Sequence, residues 1–217
     1  IVPGCVHTDL LENKLIPDPL SGDYEGELAW IEKDVWEYHC VFNISSYILN
    51  HDKLEIWFYG IDTYAEIFLN GHSILRSNNM YHPWSSDVKN LLHEGENTID
   101  IIFTPAIIRA QEKLSKRISE NPETNAFEEV RLSSFSRKSS YQYGLSGIPR
   151  YVTCGLWKNV ELLAFNKLKI RDYYVVQKEL TPSYASLICE LELEVHSAGE
   201  YIFALYVDKE LLSTGKL

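Results

Sequence analysis

The sequence predicts an all-β protein that is built from antiparallel β-sandwiches. Apolar and polar residues alternate with period two in several short segments. Turn signals separate these segments at short intervals, which is typical of antiparallel sheets. Helical periodicity is limited to two segments, residues 6–15 and 105–119. Sheets rather than helices are therefore expected to form the core.

The first half of the chain contains the clearest strand patterns. Residues 36–44 alternate between apolar and polar side chains. Residues 54–59 are mostly apolar, which indicates a strand buried on both faces. Residues 64–69 alternate and lead into Asn70-Gly71, a strong hairpin signal because both residues tolerate positive φ. The other candidates are a return strand at residues 73–75 and a strand at residues 99–103.

A long polar stretch without clear periodicity covers residues 121–140. Asn121-Pro122 ends the second helix candidate, because the residue before a proline disfavours helical backbone. Loops of this length inside a domain are usually functional or mobile. With the adjoining Tyr141-Gln142-Tyr143-Gly144, this stretch is the most site-like region of the sequence. Its short basic segment, Arg131 to Lys138, is expected to be a solvated loop.

A domain boundary is predicted near residues 165–168. Beyond it, three segments have strand character: residues 173–177, 185–196 and 201–207. Three strands do not close a sandwich, so we expect the second domain to be cut short. The predicted domains are residues 1–166 and residues 167–217.

Composition and charge exclude several classes of function. The net charge of −11 disfavours a nucleic-acid partner, because an acidic surface repels phosphate backbones. Since no apolar run approaches the roughly 18 residues that span a bilayer, no membrane partner is expected. The seven histidines are dispersed without metal-ligand spacing, and Gly-rich phosphate loops are absent. We therefore expect neither a metal nor another cofactor.

The residues alone reveal no catalytic constellation. Acidic side chains mostly alternate with apolar ones along strands, so they are expected to face solvent. The five Trp and fourteen Tyr fit strand packing and also fit stacking on sugars, and both interpretations stay open. Cys40 and Cys189 follow apolar strand faces, which predicts buried free thiols.

Several short motifs nevertheless occur in a specific order over residues 2–163. Together they resemble the amino-terminal domain of glycoside hydrolase family 2, and within that family the β-mannosidases. The motifs are Val2-Pro3-Gly4-Cys5-Val6-His7-Thr8-Asp9-Leu10-Leu11, Ile16-Pro17-Asp18-Pro19, Gly60-Ile61-Asp62-Thr63-Tyr64-Ala65, Phe68-Leu69-Asn70-Gly71, Asn79-Met80-Tyr81, Glu94-Gly95-Glu96-Asn97, Arg137-Lys138, Tyr141-Gln142-Tyr143-Gly144, Pro149-Arg150 and Gly155-Leu156-Trp157-Lys158-Asn159-Val160.

This resemblance implies a jelly-roll, galactose-binding-like domain, then an immunoglobulin-like β-sandwich that is truncated here, and then a (β/α)₈ barrel. In that family the barrel carries both catalytic glutamates and hydrolysis retains the anomeric configuration. No catalytic residue is therefore expected in this chain. It would be the inactive amino-terminal portion of an enzyme that hydrolyses terminal β-linked mannose. Its partners would be carbohydrate and the carboxy-terminal barrel of the same parent chain.

One departure from the family pattern concerns substrate binding. After Tyr143-Gly144 the family usually has Trp-Asp-Trp-Gly, whose aspartate hydrogen-bonds a sugar hydroxyl in the barrel pocket. Here the four positions are Leu145-Ser146-Gly147-Ile148. The resemblance implies that Tyr143, Ser146 and Arg150 are the substrate-binding residues. With a short neutral hydroxyl in place of a carboxylate, we expect weaker mannoside binding or preference for another sugar.

Three alternatives to a β-mannosidase stay open at this point. The first is a family 2 hydrolase for another β-linked sugar, such as a β-galactoside or β-glucuronide. The second is a stand-alone carbohydrate-binding module, in which Tyr81, Trp84, Tyr141 and Tyr143 would form a stacking platform. The third is a structural sandwich that assembles into a homo-oligomer. Because such hydrolases are commonly exported, an extracytoplasmic location (periplasmic, secreted or lysosomal) is expected.

Overall fold

β-Strands are the main elements of the structure, which confirms the all-β prediction. A computed structural model of the chain describes residues 1–120, 132–144 and 147–216, without the side chains of residues 117–120. The chain divides into two units, Ile1–Ala164 and Phe165–Leu217. In the described ranges, no helix combines the length and apolar character that crossing a bilayer requires.

Four α-helices and nine strands cover the first unit within the described residues, and the last of these strands ends one residue beyond it. The helices are α1 (Val6–Glu12), α2 (Glu25–Leu28), α3 (Ser46–Leu49) and α4 (Ala106–Glu120). The strands are β1 (Trp36–Ile44), β2 (Lys53–Phe58), β3 (Ile61–Asp62), β4 (Tyr64–Leu69), β5 (His72–Asn78), β6 (Trp84–Asp87), β7 (Gly95–Thr104), β8 (Gly155–Leu156) and β9 (Val160–Phe165). Short 3₁₀ turns cover Ser133–Phe135 and Ser140–Tyr143.

Two sheets form the sandwich of this unit. One has the strand order β1-β7-β4-β5 and the other the order β6-β2-β9. Alternate side chains of both sheets meet in one apolar core, with Phe58 and Leu54 from β2 facing a cluster that includes Ile67 from β4 and Phe103 from β7. The period-two patterns of the sequence correspond to this arrangement, because one face of each strand is buried.

The predicted Asn70-Gly71 hairpin joins β4 to β5 and is confirmed. Asn70 has φ 48° and Gly71 has φ 79°, as a tight hairpin turn requires. The Asn70 side chain also donates to the Leu91 carbonyl and to Asn97 Oδ1, each at 2.9 Å. This asparagine therefore shapes its own turn and also holds a distant loop.

The amino-terminal segment is bonded to the β8 region. Gly4 N donates to the Leu156 carbonyl at 2.8 Å, and Val6 N donates to the Cys154 carbonyl at 2.9 Å. Gly155 lies between these two bonds with φ 150°, and a Cβ there would be 2.7 Å from Cys5 Cα. Only glycine allows the two backbones to approach this closely.

The second unit consists of four strands in two antiparallel pairs. They are β10 (Leu168–Leu180), β11 (Ala185–Val195), β12 (Ile202–Val207) and β13 (Glu210–Lys216). β10 pairs with β11, and β12 pairs with β13. The three predicted strands are present, and the sequence pattern missed β13, whose polar residues do not alternate with apolar ones.

Two expectations about burial were wrong. Cys40 is exposed, although it lies on the inward-facing register of β1, because β1 is an edge strand and the sheets are open beside it. Lys138 is buried rather than solvated, since its ammonium group bonds a buried carboxylate. Arg131, at the other end of the same basic segment, lies outside the described residues.

Candidate functional site

A buried ion pair between Asp62 and Lys138 lies at the centre of a polar cluster in the first unit. Lys138 Nζ donates to both carboxylate oxygens of Asp62 at 2.6 Å each, and to the Thr153 carbonyl at 2.6 Å. The side chain of Lys138 is 0% exposed and that of Asp62 is 4% exposed. All three ammonium hydrogens therefore have an acceptor within the protein.

Three further side chains complete this cluster. Gln142 Nε2 donates to Asp62 Oδ2 at 3.1 Å, and Gln142 Oε1 accepts from Thr153 N at 3.2 Å. The Thr63 hydroxyl donates to Asp62 Oδ1. We call Asp62, Thr63, Lys138, Gln142 and Thr153 the Asp62 cluster. It connects β3 with two segments that lie more than 70 residues further along the chain.

Burial and charge shift the pKa values of the groups in and around the Asp62 cluster. Burial lowers the pKa of Lys138, and the adjacent Asp62 carboxylate opposes that shift. His7, whose Nδ1 is 3.0 Å from Thr153 Oγ1, has its pKa lowered to about 4, first by burial and then by the positive charge of Lys138. His7 is therefore a neutral imidazole at neutral pH.

The predicted site residues Tyr143 and Arg150 lie together. The Arg150 guanidinium carbon is 5.8 Å from the centre of the Tyr143 ring, and Arg150 Nη1 donates to the Tyr143 carbonyl at 3.3 Å. Tyr143 is buried. Burial is the main reason that the pKa of Tyr143 rises to about 12. Ser146, the third predicted residue, lies outside the described residues.

Arg150 is also held by a carboxylate. Its Nε donates to Glu32 Oε2 at 3.1 Å and its Nη2 donates to Glu32 Oε1 at 3.0 Å. Both side chains are mostly buried, so the two-point contact is shielded from water. Glu32 therefore occupies the guanidinium group of Arg150, and Arg150 helps to fix the position of Tyr143 within the protein.

The four aromatic residues considered as a stacking platform separate into two pairs. Tyr81 and Tyr141 have exposed rings, at 60% and 57% of their surface. Trp84 is partly buried, with Nε1 donating to the Asn79 carbonyl at 2.9 Å, and Tyr143 is buried. Only Tyr81 and Tyr141, of these four, offer a free ring face to a ligand.

Neither a metal site nor a pair of carboxylates is found in the Asp62 cluster, all of whose residues are described. No three His, Cys, Asp or Glu side chains are grouped as metal ligands in the described ranges. The Asp62 carboxylate, which is the only acid of the cluster, is neutralised by Lys138 and enclosed by donors. The Asp62 and Lys138 charges are arranged to hold chain segments together. The cluster therefore positions these segments and does not transfer protons.

The Asp62 cluster was missed as a unit by sequence reasoning. Asp62, Lys138 and Gln142 each lie in one of the short motifs that carry the family resemblance, but nothing local connects these motifs. One signal was present. Asp62 lies between Ile61 and the Thr63-Tyr64 pair at the start of an apolar strand, and a buried carboxylate needs a cationic partner elsewhere in the chain.

The two sheets and the apolar core between them form a jelly-roll β-sandwich of the galactose-binding-like class. Residues 1–158 match the family model described as "Glycosyl hydrolase 2 galactose-binding domain-like". The chain belongs to this family, which confirms the resemblance found in the sequence.

Curated relatives are similar over nearly the whole chain. The β-mannosidase of Capra hircus is 27% identical over 215 residues, which are 97% of this chain and 24% of the relative. The β-mannosidase B of Emericella nidulans is 32% identical over 205 residues, which are 91% of this chain and 23% of the relative. The chain thus spans about a quarter of the length of these relatives.

Solved structures show the same fold. The crystal structure of a β-D-mannosidase from Dictyoglomus thermophilum superimposes with a TM-score of 0.84 at 34% identity, covering 100% of this chain and 26% of that one. The exo-chitosanase of Amycolatopsis orientalis has a TM-score of 0.65 at 16% identity, covering 99% of this chain and 23% of that one. At that lower identity the likeness concerns the fold alone.

Proposed function

We propose that this chain is the non-catalytic amino-terminal part of a retaining β-mannosidase of glycoside hydrolase family 2. The observation that carries this proposal is the similarity of the entire chain to the amino-terminal quarter of a β-D-mannosidase of known structure, at 34% identity. In this proposal residues 1–166 form one wall of the active site, residues 167–217 begin an immunoglobulin-like domain, and a carboxy-terminal (β/α)₈ barrel of the same parent chain supplies both catalytic glutamates.

We further propose that the turn from Tyr143 to Arg150 faces the substrate. Arg150 and Tyr143 brace each other and are tied to Glu32, so their proposed role is to hold the turn. Ser146 is the proposed hydrogen-bond partner of a sugar hydroxyl. This assignment follows from the family motif, in which an aspartate stands at the position of Ser146.

A substrate panel on the complete parent protein tests the proposed activity. Hydrolysis of p-nitrophenyl β-mannoside is expected to exceed that of the β-galactoside, β-glucuronide and β-glucosaminide. The 217-residue chain alone is expected to hydrolyse none of them. Preference for one of the other three sugars would overturn the mannoside assignment and favour the alternative of a different family 2 specificity.

Changing the turn tests its proposed contact with sugar. Replacing Leu145-Ser146-Gly147-Ile148 by Trp-Asp-Trp-Gly is expected to raise kcat/KM on a β-mannoside about ten- to 150-fold, since a charged hydrogen bond contributes about 1.5–3 kcal/mol. Ser140→Asp is the control, because it adds the same charge at an exposed position outside the turn. An unchanged kcat/KM in the four-residue variant would show that the turn does not contact substrate.

The exposed rings of Tyr81 and Tyr141 support a second candidate function, a carbohydrate-binding module. Aromatic faces pack against the apolar faces of sugars, and here two such faces are free. Titration with mannose and mannobiose, followed by heat or chemical shifts, tests this candidate. Absence of any change at millimolar sugar would exclude it, whereas binding that Tyr81→Ala and Tyr141→Ala abolish would support it.

Location and assembly are separate proposals. We propose an extracytoplasmic location, for which fractionation of cells that make the parent protein is the test. Self-association into a homo-oligomer is tested by sedimentation of the parent protein at several concentrations. A mass that does not change with concentration and equals one chain would exclude it.

A further inference from the structure

The Asp62 cluster joins the two chain segments on either side of the Tyr143–Arg150 turn. Lys138 and Gln142 precede the turn, and Thr153 follows it. Lys138 Nζ bonds the Thr153 carbonyl, and Gln142 Oε1 accepts from the Thr153 amide, so the two flanks are bonded twice to each other. Both flanks are also bonded, directly or through Lys138, to Asp62 of β3.

Residues near the two ends of the turn, Gly144 and Arg150, contact each other. Gly144 has φ 84°, and a Cβ placed on it would be 3.2 Å from Arg150 Cβ. Arg150 in turn contacts the carbonyl and the ring of Tyr143. The contacts between Tyr143, Gly144 and Arg150 therefore lie, along the chain, between the two flanks that the Asp62 cluster joins.

Burial of an ion pair costs desolvation free energy that apolar side chains of the same volume do not cost. Replacement of a buried ion pair by apolar residues of similar size is often neutral or stabilising, so stability alone does not explain Asp62 and Lys138. What a fully satisfied polar network adds is a unique geometry, because each donor has one acceptor in one direction. Here the geometry that it specifies is the placement of the two flanks.

We propose that Lys138 and Gln142 are positioning residues, which set the place of the Tyr143–Arg150 pair relative to the sandwich and, through it, the affinity for sugar. This inference rests on the proposed function, because it assumes that the turn faces the substrate. Neither side chain touches the sugar in this scheme. They act through the Thr153 backbone and the Asp62 carboxylate.

The test uses the complete parent protein and two variants. Lys138→Met removes the ammonium group. Asp62→Asn with Lys138→Met removes both charges and keeps one carbonyl oxygen as the acceptor for Gln142, while the Thr63 hydroxyl can rotate to accept from the new amide group. Lys53→Met is the matched control, because it breaks an ion pair with Asp87 on the exposed face of the sandwich. For each variant kcat and KM on a β-mannoside, the unfolding temperature, and hydrogen exchange of the backbone amides are measured.

A positioning role predicts different behaviour for stability and for substrate binding. The double variant is expected to recover most of the unfolding temperature that Lys138→Met loses, and yet to keep a KM about tenfold above that of the unmodified protein. Exchange of the amides in residues 147–153 is expected to rise about tenfold or more in both variants and to stay unchanged in the control.

Each contrary result identifies what has failed. If KM returns to normal in the double variant together with stability, or if amide exchange in residues 147–153 is unchanged, the positioning role is overturned. Faster amide exchange with a normal KM overturns it as well, since the turn would then move without a change in the affinity for sugar. If the unmodified protein cleaves no β-glycoside, the proposed function fails instead, and the exchange measurement alone decides whether the cluster positions the turn.

Discussion

Lys138 Nζ lies 2.6 Å from each carboxylate oxygen of Asp62, in a contact that bridges 76 positions of sequence. Neither side chain has appreciable contact with water. The strength of an ion pair depends on its surroundings, and exposed pairs contribute little to stability. The Asp62–Lys138 pair is buried, and in a buried pair the loss of one partner leaves a charge without compensation.

Lys138→Met is therefore expected to lower the free energy of unfolding of the first unit by about 3–5 kcal/mol. Urea unfolding followed by tryptophan fluorescence measures this change, because all five tryptophans lie before residue 158 and report on the first unit. Lys53→Met, which breaks the exposed pair with Asp87, is expected to cost less than about 1 kcal/mol. Equal losses in the two variants would contradict the distinction between the pairs.

Stability is expected to depend on pH through His7. Its pKa is about 4 in the folded protein against 6.5 ordinarily, so the unfolded chain binds the proton more readily. The free energy of unfolding should thus be intact above pH 6.5 and fall by about 3 kcal/mol as the pH decreases toward 4. Urea titrations of the unmodified chain at several pH values measure this slope.

The His7 origin of that slope is tested by substitution. His7→Gln is expected to flatten the dependence between pH 6.5 and 4, because no imidazole remains to be protonated on unfolding. His93→Gln removes an exposed imidazole and serves as the control, with the slope retained. A slope that survives in His7→Gln would assign the dependence to other groups.

Thiol reactivity is expected to differ sharply between Cys40 and Cys154. Cys40 is exposed, whereas burial raises the pKa of Cys154 to about 12. At pH 8 only about one Cys154 side chain in 10⁴ is then a thiolate, which is the form that reacts. Alkylation of the folded chain, followed by peptide mass mapping, should label Cys40 first and Cys154 only after unfolding. Comparable labelling rates in the folded state would be inconsistent with this burial.

Gly155 and Gly71 provide a matched comparison of backbone requirements. Gly155→Ala is expected to destabilise the first unit by about 2–3 kcal/mol, because the new methyl group would collide with the backbone of Gly4 and Cys5. At Gly71 nothing lies within 4 Å of the added atom, so Gly71→Ala should cost only the roughly 1 kcal/mol of left-handed backbone strain. Urea unfolding measures both, and a larger loss at Gly71 would refute the close approach at Gly155.

Most of the fold could be predicted from local sequence patterns. The strands β1, β2, β4 and β7, the helix α4 and the Asn70-Gly71 turn were each visible as a period or a dipeptide. The reason is that one-sided burial imposes period two on a strand, and a tight turn imposes positive φ on its residues, wherever the segment lies. The family resemblance likewise followed from short motifs in order.

The candidate site could be predicted only in part. Tyr143 and Arg150 were identified as neighbours in a motif, and they do lie together. That Arg150 bonds Glu32, 118 positions away, could not be inferred, and neither could the burial of Lys138 in a segment that looks like a solvated basic loop. A charged side chain is buried only where the fold brings its counter-charge.

By itself, then, the sequence determined the all-β class, the alternation of buried and exposed strand positions, and membership of the family. Only the tertiary structure decided which polar residues are buried and which chain segments they hold together. Local patterns report the preferences of neighbouring residues, whereas the placement of Lys138 on Asp62 depends on three segments meeting at one point. The free energy of burying a charge depends on the groups that surround it in the fold, and no single segment of the sequence contains all of these groups.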